Sequence, residues 1–296
     1  MDCAADRRNR HRGDHRSGRW RLERRCYDRQ LKFMTRAVAG VTAWSADTKI
    51  EDRCRSIARS LGIAGDPEAH VSSDIALCGA TYPCASGLGS RDADNRFAPG
   101  LSVVSDGRID NRTEFLSRCG ISAESAVGLS DVELIALGWS RCEERVFDAI
   151  VGPYAIAIWC ARRKQLVLAR DPQGLRPLFF HRGGDWVAFA SLPNALAALP
   201  EIGRRVNEQR MVELLLLVDP QDNTSFFDGV EGVRKGEIVR FEAPDRVHRR
   251  RFWDAAEIKV ERRRPEDHAE GLRERLTAAV HAAVDTPQPI AAGLSG

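Results

Sequence analysis

The sequence lacks the features that would place the protein in a membrane or around a metal ion. No apolar run approaches the ~20 residues of a membrane-spanning helix, and the first residues contain no apolar signal-peptide core. The eight cysteines include no CxxC pair and no histidine-partnered zinc spacing, so we predict no metal site. They are typical of reduced, mostly buried thiols, which predicts a cytoplasmic protein.

A strong excess of one charge is also missing. The 45 basic and 42 acidic residues leave a net charge of +3, which gives no general reason to expect a nucleic acid or a membrane as partner. The composition is that of a globular protein, and 296 residues suit one large domain or two ordinary ones.

Residues 1–33 differ in composition from the rest. They hold ten arginines mixed with acids and almost nothing apolar, so we predict a disordered basic tail that cannot fold alone. A nucleic-acid-binding arm and a mitochondrial presequence are alternatives, although acidic residues such as Asp14 and Glu23 break the presequence pattern. We favour an upstream extension with a working start at Met34.

Residues 152–191 read as four short strands separated by turns. Large and small side chains alternate over 154–158, and residues 165–169 form the return strand. Asp171-Pro172-Gln173-Gly174 suits a type I turn, and strands at 178–181 and 186–190 flank a glycine hairpin. An antiparallel meander this apolar must bury at least one face under another layer.

The first part of the chain predicts further elements. A strand begins near Met34, and its Val38, Gly40 and Val41 suit a buried edge. Apolar residues at helical spacing over 50–61 predict a helix capped by Asp47. Strands are also predicted over 74–82 and over 101–105.

Two capping boxes and two later helices follow. A helix start is predicted at Asn111, which has Glu114 three residues later, and another at Ser130, which has Glu133 three residues later. Asn207 caps a helix whose run 214–218 is apolar all round and is therefore predicted to be buried. A hairpin is expected over 224–253, with Arg249–Arg251 on a solvated edge or against a phosphate. Pro265 opens the last helix.

The four-strand segment resembles the N-terminal glutaminase domain of asparagine synthetases. In that family a pattern like "GxFAFAxWD…LxLARDxxGxxPLYY…FASExxAL" builds the sheet core, and the run 169–172 with Gly174, Pro177 and Leu178 is its most specific match. The resemblance implies an α+β protein with an αββα sandwich of the N-terminal-nucleophile type over 34–200. This sandwich would be followed by a linking helix and hairpin over 201–262 and by the truncated start of an α/β ATP-pyrophosphatase domain over 263–296.

Two glutamine-binding elements can be carried over from this resemblance. Asp106 and Gly107 occupy the place of the Asn-Gly pair that forms the family's oxyanion hole, and Asp131 matches the aspartate that binds the glutamine ammonium group. Asp106 lacks the amide N–H that such a hole requires. Alternatively, Asp-Gly serves only the strand-to-helix turn, and Asp131 only the helix dipole.

The family's nucleophile is missing. Its catalytic cysteine becomes the first residue after Met removal, and the matching position here is Arg36, which is no nucleophile. Cys3 lies far upstream. Thr35 would become N-terminal if translation began at Met34, but its spacing to Gly40 is one residue too long. We therefore expect a degenerate glutaminase pocket without a catalytic residue.

The resemblance also implies ATP and Mg²⁺ as cofactors of the whole enzyme. Leu294, Ser295 and Gly296 match the first residues of the family's "LSGGLDSS" pyrophosphate loop, whose backbone N–H groups wrap an anion. We expect a gene fragment or frameshifted frame that binds neither ATP nor a metal by itself.

Family members without the cysteine include β-lactam synthetases and lasso-peptide macrolactam cyclases. Residues 105–112 are similar to the "ADARLDNRDEL" version found in such enzymes. The sequence thus predicts part of an ATP-dependent amide ligase that acts on a small-molecule or peptide carboxylate, with a homodimer possible. The alternatives are a cyclase-type fragment and a non-catalytic module that docks a peptide or partner subunit.

Overall fold

The structure, a computed structural model, describes residues 36–47, 49–61, 69–72, 74–81, 100–218 and 223–284. The predicted tail over 1–33, Thr35 and the 294–296 run lie outside the described residues. In the part of the chain that is described, no helix has the length and apolar character needed to cross a membrane.

Two antiparallel sheets form the centre of the fold. The strands of sheet A are β1 (Arg36–Ala43), β2 (Ala69–Val71), β3 (Ile75–Thr81), β7 (Phe179–Arg182), β8 (Trp186–Ala190) and β9 (Glu231–Gly232). Those of sheet B are β4 (Leu101–Gly107), β5 (Tyr154–Cys160), β6 (Gln165–Arg170), β10 (Glu237–Phe241) and β11 (Val247–Arg251). The strand order is β2-β3-β1-β8-β7-β9 in sheet A and β11-β10-β6-β5-β4 in sheet B.

Seven α-helices are described alongside the strands. They are α1 (Ile50–Ser60), α2 (Arg112–Arg118), α3 (Asp131–Cys142), α4 (Val146–Ala149), α5 (Pro193–Leu196), α6 (Glu208–Leu215) and α7 (Pro265–Val284). Short 3₁₀ turns lie at 124–126, 143–145 and 255–257.

Three apolar cores define four layers. One core lies between sheet A and helices α1 and α5, a second between the two sheets, and a third between sheet B and helices α2 to α4. In β5 the large Tyr154, Ile156 and Ile158 face the helices, whereas the small Ala155 and Ala157 face the other sheet. The alternation read from the sequence therefore marks two different neighbours, and the predicted αββα sandwich is confirmed.

The four consecutive strands are present, but they do not form one meander. β5 pairs with β6 in sheet B, and β7 pairs with β8 in sheet A, so the chain crosses between the sheets over 171–178. β5 and β8 are buried on both faces because each sheet is covered on both sides. The later segment joins both sheets too, since β9 pairs with β7 and β10 pairs with β6.

The sequence predicted that the first strand is a buried edge, but the strand lies inside sheet A. β1 pairs with β3 on one side and with β8 on the other. A Cβ atom on Gly40 would lie 2.3 Å from Cζ of Phe189 and 2.8 Å from Cδ2 of Leu77. Gly40 therefore makes room for two core side chains.

The predicted burial of residues 214–218 is wrong. All five side chains are exposed, Leu217 to 90%, because the described residues pack nothing against this part of α6 and the turn after it. Asn207 does cap α6, accepting a hydrogen bond from the backbone N–H of Arg210 at 3.1 Å. α7 likewise carries no buried residue, and its apolar stripe, which includes Leu272 and Leu276, is exposed.

The two predicted capping boxes differ in outcome. Ser130 and Glu133 form theirs at the start of α3. Asn111 forms no side-chain cap at the start of α2. Its amide instead donates to the carbonyl of Ala149 at 3.0 Å and accepts from the backbone N–H of Val151 at 2.9 Å. Asn111 thus connects α2 to the segment entering β5.

Candidate functional site

Asp106 and Gly107 form the C-terminal end of β4. Asp106 is on the same face of the strand as Val104, which belongs to the core between the sheets, and its side chain is 0% exposed. Gly107 pairs with Tyr154 of β5, and a Cβ atom on it would lie 2.4 Å from the carbonyl oxygen of Pro153. The glycine is therefore required by a close backbone approach.

Arg176 provides the positive charge nearest to the buried Asp106 among the recorded ion pairs. Nε of Arg176 lies 3.6 Å from Oδ1 of Asp106. No sequence pattern indicated this partner, because Arg176 lies 70 positions later, in the crossover between the sheets. A charge buried to this degree is expected to be paired, and Arg176 meets that need.

Asp171 fixes the loop that carries Arg176. Its carboxylate accepts hydrogen bonds from the backbone N–H groups of Gln173 at 3.0 Å, Leu175 at 3.1 Å and Arg176 at 3.1 Å. The N–H of Tyr154 lies within 3.4 Å of the same carboxylate. The motif at 169–172 thus orders the crossover loop and holds the backbone of Arg176 in place.

Arg170 holds the same loop from the opposite side. Its guanidinium donates to the carbonyl oxygens of Gly174 at 2.7 Å, Arg176 at 2.8 Å and Val233 at 3.0 Å. Burial lowers the pKa of Arg170, and the neighbouring Asp171 carboxylate opposes that change. The most specific part of the resemblance is therefore a structural clamp for the loop.

Asp131 opens α3 beside the loop that follows Gly107. One carboxylate oxygen accepts from the backbone N–H of Ile109 at 3.1 Å, and the other accepts from Nη1 of Arg112 at 3.1 Å. Arg112 also donates to the carbonyl of Leu129 at 2.6 Å. Asp131 is thus held against the loop that directly follows Asp106 and Gly107, with both of its oxygens engaged by the protein.

Arg108, which follows Gly107, also has its backbone N–H and its side chain bound to other groups of the protein. The N–H of Arg108 donates to the carbonyl of Pro153 at 3.1 Å, and Nε of Arg108 lies 2.5 Å from the carboxylate of Asp110. The N–H of Asp110 in turn donates to the carbonyl of Val151 at 2.8 Å. Residues 108–110 therefore continue the chain pairing with 151–153.

Arg36, at the nucleophile position, is the first residue of β1, and its backbone is in register with Thr81 of β3. The beginning of this strand is held by Ser191, whose hydroxyl accepts from the N–H of Val38 at 2.9 Å. Ser191 is fully buried and was not singled out from the sequence. Thr35 and the predicted ATP-binding residues lie outside the described residues, so those predictions stay predictions.

The arginine-rich strand β11 forms an edge of sheet B, as predicted. Each of its three arginines is paired with a carboxylate: Arg249 with Glu231 at 2.5 Å, Arg250 with Glu144 at 3.4 Å, and Arg251 with Asp254. The three consecutive arginines therefore form an ion-paired edge of sheet B.

Two open clefts lie at the far end of β4 from Asp106. One, of about 420 Å³, is lined by residues including Leu101, Trp139 and Cys160, and the other, of about 270 Å³, by residues including Cys142 and Arg240. Within the described ranges, no group of three His, Cys, Asp or Glu side chains is placed to hold a metal ion.

Comparison with known proteins gives the family. Residues 93–253 match the family described as "Glutamine amidotransferase domain". "Asparagine synthetase [glutamine-hydrolyzing] 3" of Bacillus subtilis (strain 168) is 25% identical over 154 residues, which are 52% of this chain and 25% of the relative. "Asparagine synthetase [glutamine-hydrolyzing] 2" of the same organism is 26% identical over 207 residues, 66% of this chain and 27% of the relative.

Among solved structures, the glutamine phosphoribosylpyrophosphate amidotransferase of B. subtilis complexed with ADP and GMP superposes with a TM-score of 0.42. It is 17% identical, and the match covers 77% of this chain and 45% of that one. The chain spans about a quarter of the length of the two asparagine synthetases it matches. The family match covers more than half of the chain, so the protein belongs to the glutamine amidotransferase domain family and is asparagine synthetase-like.

Proposed function

We propose that this chain is the amidotransferase-like part of an ATP-dependent amide-forming enzyme, and that its glutaminase pocket no longer hydrolyses glutamine. The observation that carries the proposal is the buried Asp106 carboxylate facing the guanidinium of Arg176 at 3.6 Å. This is the place where the resemblance expects an asparagine amide to donate a hydrogen bond.

Glutamine hydrolysis passes through a tetrahedral oxyanion that needs N–H donors aimed at it. An ionised Asp106 offers acceptors and a negative charge, which repels a developing oxyanion. Arg176 could donate, but its guanidinium is directed at Asp106, and Asp171 fixes its backbone. The charge distribution of this region therefore opposes the reaction.

Recognition of the substrate's ammonium group is also opposed by the contacts of Asp131. The Asp131 carboxylate already accepts hydrogen bonds from the backbone N–H of Ile109 and from the guanidinium of Arg112. The positive charge of Arg112 compensates the negative charge of this carboxylate. An ammonium group would have to displace Arg112 or share the carboxylate with it. Together with Arg36 at the nucleophile position, these contacts support loss of the glutaminase reaction.

An enzyme of this family without a glutaminase would need an amine that is already present in its substrate. The carboxylate, from a small molecule or a peptide, would then be activated with ATP and Mg²⁺ and attacked by that amine. This part of the proposal rests on the family and on the asparagine synthetase relatives, which this chain matches over about a quarter of their length.

The direct test is a coupled glutamate assay on the purified chain with glutamine as substrate. We expect glutamate release equal to that of a heat-denatured control. The Asp131→Asn variant should behave identically, because the residue has no catalytic role to lose. Release above the control that disappears in Asp131→Asn would refute the loss of function.

A gain-of-function variant sharpens the test. Asp106→Asn removes the buried charge and restores an amide donor, and we expect it to bind glutamine more tightly than the wild type in isothermal titration calorimetry. Arg176→Gln, which removes the guanidinium instead, should show no such gain. Equal affinities in all three proteins would mean that Asp106 does not control this pocket.

A docking module is the second candidate, and the exposed run 214–218 favours it. Five adjacent apolar side chains in water are typical of a surface that another protein covers. If a second copy of this chain covers it, sedimentation velocity will show a dimer that Leu217→Ser dissociates. If the protein is a monomer at all concentrations, a second copy does not cover this surface, and the docking hypothesis then requires a different partner.

A further inference from the structure

Two side chains from the end of α2 and the residue after it lie close to Gly138 of α3. A Cβ atom on Gly138 of α3 would lie 3.0 Å from Cζ of Phe115 and 3.4 Å from Sγ of Cys119. The absence of a side chain at Gly138 therefore lets the end of α2 approach the backbone of α3. Cys119, the residue that follows α2, therefore lies with its sulfur close to Gly138 of α3.

The last turn of α3 ends in a second cysteine. Sγ of Cys142 lies 3.8 Å from Sγ of Cys119, and both thiols are free. Cys142 is half-buried and lines the cleft of about 270 Å³, together with Arg145 and Arg163. One sulfur of the pair can thus be reached from solvent, while the other lies directly behind it.

We propose that Cys119 and Cys142 are a redox-sensitive pair that closes into a reversible disulfide by exchange with low-molecular-weight disulfides. The thiolate of Cys142 attacks one sulfur of the small disulfide, forming a mixed disulfide and releasing one thiolate. Cys119 then loses its proton and attacks Sγ of Cys142, which releases the second small thiol. One small disulfide is reduced to two thiols, and two protein thiols are oxidised.

Accessibility and ionisation both assign the first attack to Cys142. Burial raises the pKa of Cys119 to about 12, and the nearby Cys142 thiol adds to that rise. Burial also raises the pKa of Cys142, but its contact with Cys119 and the charge of Arg145 act in the opposite direction. Because raised pKa values leave little thiolate at neutral pH, the exchange should be slow without an enzyme.

The chain contains its own comparison thiols. Sγ of Cys54 lies 3.1 Å from Sγ of Cys78, but both are fully buried between α1 and sheet A, so a dissolved reagent cannot reach them in the folded protein. Cys160 is half-buried and lines the other cleft, and the structure records no sulfur partner for it in the described ranges. Proximity and access coincide only at Cys119 and Cys142 among the described cysteines.

The disulfide would fasten the helices that support the candidate site. The beginnings of α2 and α3 are already joined by Arg112 and Asp131, 3.1 Å apart. A bond between Cys119 and Cys142 would join their ends across a separation of 23 residues. Oxidation should therefore restrict motion of the loop that contains Ile109, which Asp131 holds.

The test is incubation of the full chain with oxidised glutathione at pH 8, followed by alkylation and tryptic mass spectrometry. Trypsin cleaves after Arg118, Arg141 and Arg145, so the disulfide joins the 119–141 and 142–145 peptides in one unique product. Hydrogen peroxide is used in parallel: it oxidises Cys142 to a sulfenic acid with release of water, and Cys119 displaces a second water.

We expect the 119–141/142–145 product before any link between Cys54 and Cys78, and full reversal by dithiothreitol. In Cys119→Ser, Cys142 should instead remain as the glutathione mixed disulfide. The oxidised wild type should melt about 5–10 °C higher than the reduced protein, a shift that Cys142→Ser lacks and Cys160→Ser retains. Absence of the linked peptide with both oxidants, or a mixed disulfide at Cys142 that Cys119 never resolves, would overturn the proposal.

Discussion

Replacing Asp171 with alanine tests whether the crossover loop is held by one carboxylate. Asp171 is 1% exposed, and its oxygens accept from three backbone N–H groups at 3.0–3.1 Å, with that of Tyr154 at 3.4 Å. The substitution leaves these donors without their acceptor. The loop should then lose its fixed shape, and Arg176 its position against Asp106.

The expected loss follows from these contacts. A hydrogen bond to a charged group contributes about 1.5–3 kcal/mol net, so three good bonds amount to roughly 4.5 kcal/mol at the lower value. Gln173 and Leu175 are partly open to solvent, and water can replace the carboxylate there. We therefore expect the free energy of unfolding to fall by about 3 kcal/mol, or roughly 6–12 °C in melting temperature for a domain of this size.

Urea denaturation followed by circular dichroism and tryptophan fluorescence measures this loss. Asp171→Asn keeps one acceptor oxygen and should lose about half as much free energy. Asp245→Ala is the matched control, because Asp245 lies exposed in the turn between β10 and β11, and it should change stability by less than about 0.5 kcal/mol. A loss in Asp171→Ala no larger than in this control would refute the role assigned to Asp171.

Three further predictions concern other parts of the sandwich. Burial lowers the pKa of His181 below its usual 6.5, although the hydrogen bond with the carbonyl of Gly229 acts in the opposite direction. The stability that neutral His181 contributes is therefore fully present above pH 6.5 and is lost at lower pH, as the unfolded chain takes up the proton. His181→Gln should weaken that loss between pH 7 and 5 in urea titrations. Gly107→Ala should lower the free energy of unfolding by about 2–3 kcal/mol, because its Cβ meets backbone atoms of 153–154, whereas Gly184→Ala, which meets nothing within 4 Å, should not. Leu217→Ser should raise the concentration at which light scattering detects association and leave the melting temperature unchanged, since Leu217 is exposed.

The sequence by itself determined the elements with strong local signals. The alternation over 154–158, the Asp171–Gly174 turn and the capping box at Ser130 depend on contacts within a few residues, and each is present in the structure. The αββα layers followed from the family resemblance, and the apolar character of consecutive strands agreed with it. Residues Asp106, Gly107 and Asp131 could be singled out in the same way.

Only the tertiary structure decided which distant groups meet. The pairing of Arg176 with Asp106, the use of Asn111 to hold the segment before β5, and the crossing of the chain between the sheets all join residues far apart in sequence. No local pattern encodes such contacts, because they depend on how two sheets stack and in which register. The exposed run 214–218 has the same explanation: its composition favours burial, but burial requires a neighbouring layer, and the described part of the chain places none there.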